Sequence, residues 1–354
     1  MRYKKFILPI FLGVQIIAVQ ALSLFPEWIE TYYSNGIYAA LAPMLRKAMG
    51  WIPFSLGDVL YFVLITLSLR WFWAHRKTWK AKWRDHLLAM TSVVSVFYFC
   101  FHVLWAMNYH RVPLYQKLDI GRQYTDADLL KFTQSLIKRA NGLHTRIVHS
   151  DTAKVTFPYS RQQVFSMSLE GYRHLAQTHP YFAYTVPSNK TSLMSLPLTY
   201  MGFAGYLNPF TNESQVNSLL PMFNFPTTAA HEMAHQIGYA SESEANFIGY
   251  MASVRNSNVY FQYSGYTYAL KYCLRNWRIR DEKTFERLQS TVNPGILQNY
   301  EEARQFWEQY ETFVETGFKI FYDNFLKFNR QKDGLESYSK FVDLLVNYHK
   351  VEEF

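Results

Sequence analysis

The sequence predicts a mainly α-helical protein with a small β-sheet, in which three transmembrane helices precede a mixed α+β domain. Three observations carry this reading. Three stretches in the first third are apolar and long enough to cross a bilayer. Helix-start signals and helical periodicity dominate after residue 124. One segment, 181–221, is broken by prolines into runs too short for helices.

The first stretch, Phe6–Phe25, has 20 residues and no charge. At 1.5 Å per residue it covers a hydrocarbon core of about 30 Å. Its apolar run is too long for a cleaved leader and shows no Ala-x-Ala, so it reads as a retained helix. Ile52–Leu69 is the second span, with Asp58 near its start, and Leu87–Met107 is the third, with no Asp, Glu, Lys or Arg. Between the first two, Ile37–Met49 reads as a short helix at the outer surface. His102, inside the third span, and His110, just beyond it, are given structural or solvated roles.

Charge orients the set. Residues 1–107 hold 11 Lys and Arg against 4 Asp and Glu, whereas 108–354 hold 25 against 23. The basic excess therefore belongs to the membrane part, which excludes a nucleic-acid footprint on the rest. Arg2, Lys4 and Lys5 precede the first span, and six Lys and Arg crowd 70–84. The positive-inside rule places both in the cytoplasm and everything after the third span outside it, in the periplasm or extracellular space. Trp51, Trp71, Trp73 and Trp105 suit interfacial anchoring. Two cysteines, one of them (Cys100) in an apolar run, give neither a disulfide framework nor a Cys-based zinc pattern.

The expected organisation is a membrane domain over 1–107, a tether over 108–124 and an extracytoplasmic domain over 125–354. Thr125-Asp-Ala-Asp128 resembles a capping box and opens a helix to about Leu143; Ser160–Thr178 forms another, stopped by His179-Pro180. Within 181–221, runs such as Ser192–Leu198 and Gln215–Leu219 read as short strands. Tyr200–Phe210, rich in glycine and aromatics, reads as a tight turn region; the sharper alternative is a rim strand to which an extended peptide could add. Thr227 or Thr228 can cap the next helix, Gly238 can end it, and Ser241 with Glu244 can start another to about Val254. Further helices are expected at Val259–Arg278, Asp281–Ser290, Ile296–Thr312, Phe313–Arg330 and, after a Lys332–Gly334 turn, Glu336–Tyr348.

The chemistry concentrates in His231-Glu232-Met233-Ala234-His235. Four residues apart on a helix, both imidazoles can face one point, and neutral imidazole is a zinc ligand. Glu232 then sits beside the open coordination position, where a carboxylate can activate a zinc-bound water. Two ordinary histidines and a surface glutamate are the plain alternative. The cap, the glycine stop and the acidic start of the following helix favour the metal. A three-histidine site needs a third His at position 241, which is serine. The third ligand is therefore Glu244 or, alternatively, Glu242. Glu244 is preferred as nearer the level of the histidines across the turn. The other glutamate, with Asn246, is left to hold a ligand in place. Tyr263, Tyr266 and Tyr268 are candidates for stabilising a developing oxyanion, with packing as the competing role.

His231–Phe247, Met201–Phe210 and Tyr263-Ser-Gly-Tyr266 together resemble an uncharacterised bacterial family of membrane-anchored HExxH proteins, a domain of unknown function placed among the gluzincin-like zinc metallopeptidases. The resemblance covers most of the chain. It implies an α+β zincin-like catalytic domain, His231 and His235 as ligands, Glu232 as base, the Glu242/Glu244 pair as source of the third ligand, and a bacterial envelope protein; the placement outside the cytoplasm points to a peptide or protein of the envelope as substrate. The expected function is peptide-bond hydrolysis outside the cytoplasm. The rival is a non-catalytic envelope protein in which zinc only stabilises a binding or signalling domain.

Overall fold

The computed structural model describes residues 4–329 and 338–352. Helices α1 (Ile7–Leu22), α3 (Leu56–His75) and α4 (Trp83–Leu104) are long and apolar enough to cross a membrane. The second and third spans are shifted from their sequence expectation, and local chemistry explains each shift. Helix α3 starts at Leu56 because the Ser55 hydroxyl accepts from the Asp58 amide at 3.0 Å. Helix α4 stops at Leu104 because Trp105 leaves the helical backbone, and a tight turn, Ala106–His110, follows. Helices α1 and α4 run parallel: Lys5 pairs with Asp85, and the Gln15 amide donates to the Ser95 hydroxyl at 3.0 Å. Gln15 and Ser95 are polar groups facing each other between the spans, not the lipid. His102 has the structural role expected, its Nδ1 lying 2.9 Å from the Tyr98 carbonyl.

The segment between the first two spans is helical throughout. It begins at Pro26, passes through a wide-turn stretch (Ile29–Ile37) and ends in α2 (Tyr38–Met49). Beyond the spans come α5 (Asp126–Val148) and α6 (Arg161–Thr178), each opened by a complete capping box, at Thr125 and Ser160. Then follow α7 (Phe225–Gln236), α8 (Glu242–Val254), α9 (Val259–Arg280), α10 (Glu282–Gln289), α11 (Pro294–Glu308), α12 (Phe313–Phe328) and α13 (Tyr338–Val351). The Lys332–Gly334 turn lies outside the described residues. One apolar core, including Leu136, Tyr172, Phe247, Leu270 and Leu345, joins α5, α6, α8, α9 and α13.

The sheet is small. Strands β1 (Asn189–Thr191), β2 (Gly205–Leu207) and β3 (Ser214–Val216) lie in the order β1-β3-β2, with β1 parallel and β2 antiparallel to β3. The run Ser192–Leu198, expected as a strand, is not one: β1 ends at Thr191, and Ser195–Tyr200 is a short helix, because Pro197 fits a first turn, the Ser195 hydroxyl donates to the Ser192 carbonyl before it and the Thr199 hydroxyl donates to the Ser195 carbonyl within it.

The expected tether is not a linker. Trp105–Arg111 and Leu114 are buried. Arg111 grips the Glu30 carboxylate with two bonds of 2.8 and 2.7 Å and donates a third, 2.8 Å, to the Gly238 carbonyl. Lys117 adds bonds to Glu30 at 2.7 Å and to the Tyr239 hydroxyl at 2.9 Å. The chain leaving the membrane is thus built into the rest of the protein.

Candidate metal centre

Helix α7 is fixed before its chemistry begins. It starts at Phe225, with Pro226 in its first turn. The expected caps, Thr227 and Thr228, sit inside it instead: the Thr227 hydroxyl meets that of Ser264 at 2.9 Å, and Thr228 bonds back to the Asn224 carbonyl. Gly238 ends the helix with φ +88°, a conformation that favours glycine. The turn is tight enough that α8 returns antiparallel against α7. At Gly249 a Cβ would lie 2.9 Å from the His231 backbone nitrogen, so this glycine sets the closeness of the two helices.

The free carbonyls at the end of α7 are satisfied by the membrane-proximal part. The Trp105 indole donates to the His235 carbonyl at 3.1 Å, and the Tyr38 hydroxyl and Arg46 guanidinium donate to that of Gln236 at 3.0 and 2.8 Å. Arg46 also reaches the Thr185 and Val186 carbonyls and the Asn212 side chain. Cationic groups at a helix C-terminus also oppose its dipole favourably.

His231 and His235 face each other with Nε2 atoms 3.1 Å apart. The Nδ1 of His235 lies 2.7 Å from the Tyr239 carbonyl, so that nitrogen carries the proton and Nε2 presents its lone pair. Two ligands on one tetrahedral zinc, at 2.0–2.1 Å each, stand about 3.3 Å apart. Ligand-type atoms of His231, Glu232 and His235 all fall within 4.8 Å of one another. Two buried polar atoms here close no hydrogen bond: His231 Nδ1, with the Asn246 side chain beside it, and Glu232 Oε2.

Glu242 completes the group. Its carboxylate oxygens lie 3.4 Å from His231 Nε2 and 3.8 Å from His235 Nε2. The preference for Glu244 is corrected: its carboxylate accepts from the Leu114 amide at 2.7 Å, on the far side of α8, near Arg111 and Lys117. Residues two apart on a helix point in nearly opposite directions, so only one of the two glutamates can face α7. Asn246 sits one turn beyond Glu242, on the same face, and its carbonyl oxygen accepts from the Tyr268 hydroxyl at 2.7 Å.

Burial raises the Glu232 carboxyl to a pKa of about 8; the charge of His231 opposes this, and that of Glu242 adds to it. Burial also acts on Glu242, but the hydrogen bond and charges of the two histidines, with Tyr322, outweigh it and bring its carboxyl to about 2. Burial and the neighbouring His231 bring His235 to about 4, while on His231 the carboxylates outweigh burial and raise it. A neutral His235, an ionised Glu242 and a buried acid with one oxygen outside any hydrogen bond are a donor set suited to a divalent cation. A cation beside Glu232 would hold it as the carboxylate at neutral pH.

Of the three tyrosines from α9, Tyr268 touches Asn246 beside the centre, and the other two are engaged elsewhere. Tyr263 is in the core, its hydroxyl donating to Asn299 at 2.8 Å, and Tyr266 packs on the Tyr250 ring. Tyr322 of α12 is there instead, donating to Glu242 at 2.6 Å, with its ring against Phe203. No motif marks it; it lies 80 residues from its partner in a helix that reads only as amphipathic. Gly205 also had no functional assignment. A Cβ there would stand 2.6 Å from Glu232 Oε1 and 2.8 Å from the Gln215 carbonyl, so β2 lies directly against the acid. Part of Tyr200–Phe210, read from the sequence as a tight turn region with a strand as the alternative, is thus strand β2, at the edge of the sheet and against Glu232.

A family model described as "Protein of unknown function (DUF3810)" matches residues 33–346. No curated protein and no solved structure matches the chain.

Proposed function

Because the chain belongs to the DUF3810 family, whose function is unknown, its activity has to be read from its own residues, and we propose that it is a membrane-anchored zinc-dependent peptidase of gluzincin type. The observation that carries this is the grouping of His231, Glu232 and His235, with the Glu242 carboxylate 3.4 and 3.8 Å from the two imidazoles and Glu232 Oε2 buried without a hydrogen bond. His231, His235 and Glu242 would hold the metal. Bound there, zinc supplies a Lewis acid and lowers the pKa of water. The chain's own groups do the rest. The Tyr239 carbonyl fixes the His235 tautomer, and Tyr322 holds Glu242. Glu232 takes the proton of the attacking water and delivers it to the leaving amine. Strand β2, at the sheet edge, offers backbone groups on which an extended peptide can align beside Glu232.

The retained acid favours this over a purely structural zinc site, which closes its fourth position with protein and needs no base. The basic 70–84 loop supports a cytoplasmic N-terminus and a centre on the outer side, with envelope peptides or proteins as substrates. The test is peptide-library cleavage by the full chain in detergent micelles, beside Glu232→Gln. Cleavage by the parent, falling by about 10²-fold or more in the variant, is expected; equal cleavage by both, or none by either once loaded with zinc, contradicts the proposal.

A further inference from the structure

Helix α12 presents three different faces. At 3.6 residues per turn, Glu315, Tyr322, Phe325, Leu326 and Asn329 share the side turned to the protein. Lys319, Asp323 and Lys327 form a charged flank, closed by i,i+4 pairs of 2.5 Å from Lys319 to Glu315 and 2.6 Å from Lys327 to Asp323. Phe313, Ile320, Phe321 and Phe328 fall within a sector of about 100°. They are 87, 60, 65 and 62% exposed. A stripe of three phenylalanines and an isoleucine spread over four turns, with only Gly317 and Asn324 between them, is not ordinary soluble surface.

Its surroundings indicate what covers it. The Phe325 ring, on the protein side of the same helix, packs 6.0 Å from Phe101, one turn before the third span ends, and 6.3 Å from Tyr109 just beyond it. Helix α12 therefore lies at the level where α4 leaves the membrane. The underside nearby is also apolar and set among the spans. The Phe210 ring reaches Phe97 of α4 at 4.9 Å and Tyr61 of α3 at 6.5 Å. Exposed Leu193 borders a recess shared with Val59 and Phe62 of α3.

We propose that α12 is an interfacial helix seated in the bilayer surface: its Phe313–Ile320–Phe321–Phe328 stripe enters the lipid beside the third span and its Lys–Asp flank stays among the headgroups. The occupant is lipid because the same helix packs through Phe325 on the end of the third span and a charged flank lies alongside the exposed stripe. This holds whether or not the protein is a peptidase. If it is, the helix that holds Glu242 through Tyr322 is itself held by the membrane, and the centre meets chains close to the bilayer.

The test uses the full chain in phosphatidylethanolamine–phosphatidylglycerol vesicles, with photoreactive benzoylphenylalanine replacing Phe313, Ile320 or Phe321, one at a time. Glu286, exposed on α10, is the control position. These are exposed sites, and each variant is first matched to the parent by gel filtration. After illumination, mass spectrometry should find lipid adducts at the three positions at about ten times the level at 286 or more. Adducts no more abundant than at 286, or cross-links to a second copy of the chain in their place, would overturn the proposal.

Discussion

At the scale of single residues, two glutamates that are alike in the sequence stand on opposite sides of α8. Glu242→Ala should abolish stoichiometric zinc binding. Glu244→Ala should keep the metal and instead leave the buried Leu114 amide without its acceptor, a loss of about 1–3 kcal/mol seen as a lower unfolding midpoint. Gly205→Ala tests the base from outside: a methyl group 2.6 Å from Glu232 Oε1 and 2.8 Å from the Gln215 carbonyl forces the carboxyl and β2 apart. Peptide cleavage should fall with zinc content unchanged; unaltered cleavage would mean that Glu232 is not the base. His231, Glu232 and His235 were legible because their spacing is the chemistry. The place of Glu242 beside them was not, because turn length alone does not say which face of the next helix is inward. Ala245 and Gly249, small residues on the face carrying Glu242, were the available signal.

At the scale of elements, α7 is held by what surrounds its ends. Tyr322→Phe removes the donor to Glu242, and loss of such a supporting bond lowers metal affinity by about 10–100-fold; competition with a chelator measures it, and an unchanged affinity would make Tyr322 mere packing. The Glu30–Arg111–Lys117 cluster clasps the turn after α7. Burial opposes ionisation of Glu30, but the bonds and charges of Arg111 and Lys117 outweigh it and bring its carboxyl from 4.5 to about 2. A folded-state pKa below the unfolded one stabilises at pH above 4.5, and that stability is lost as pH falls toward 2. Thermal unfolding of Glu30→Gln in micelles should therefore show a lower midpoint at pH 7 and a shallower loss between pH 4.5 and 2 than the parent. The capping boxes at Thr125 and Ser160 were legible because both partners lie within one turn. The Glu30 clasp was not, because it joins residues 81 apart in the chain.

At the scale of the whole molecule, the three apolar helices and the residues that follow them are joined by buried hydrogen bonds, although hydropathy divides them. Composition marks where lipid is, not where cooperativity ends. Trp105, Tyr38 and Arg46 serve the last carbonyls of α7, and Glu213 caps the start of the second span through the Leu56 and Gly57 amides at 3.3 and 2.6 Å. A chain shortened to residues 108–354 should consequently fail to give a cooperative melt by circular dichroism; a sharp melt with parental zinc content would show that the two parts fold separately.

The central claim is that three residues on α7 and α8 hold one zinc. Metal analysis of the full chain, purified in detergent with zinc supplied, tests it most directly. The account predicts one zinc per chain in the parent, in Glu232→Gln and in Glu244→Ala, and none in His231→Ala, His235→Ala or Glu242→Ala. Zinc absent from the parent, or retained in full by the histidine variants, would contradict it.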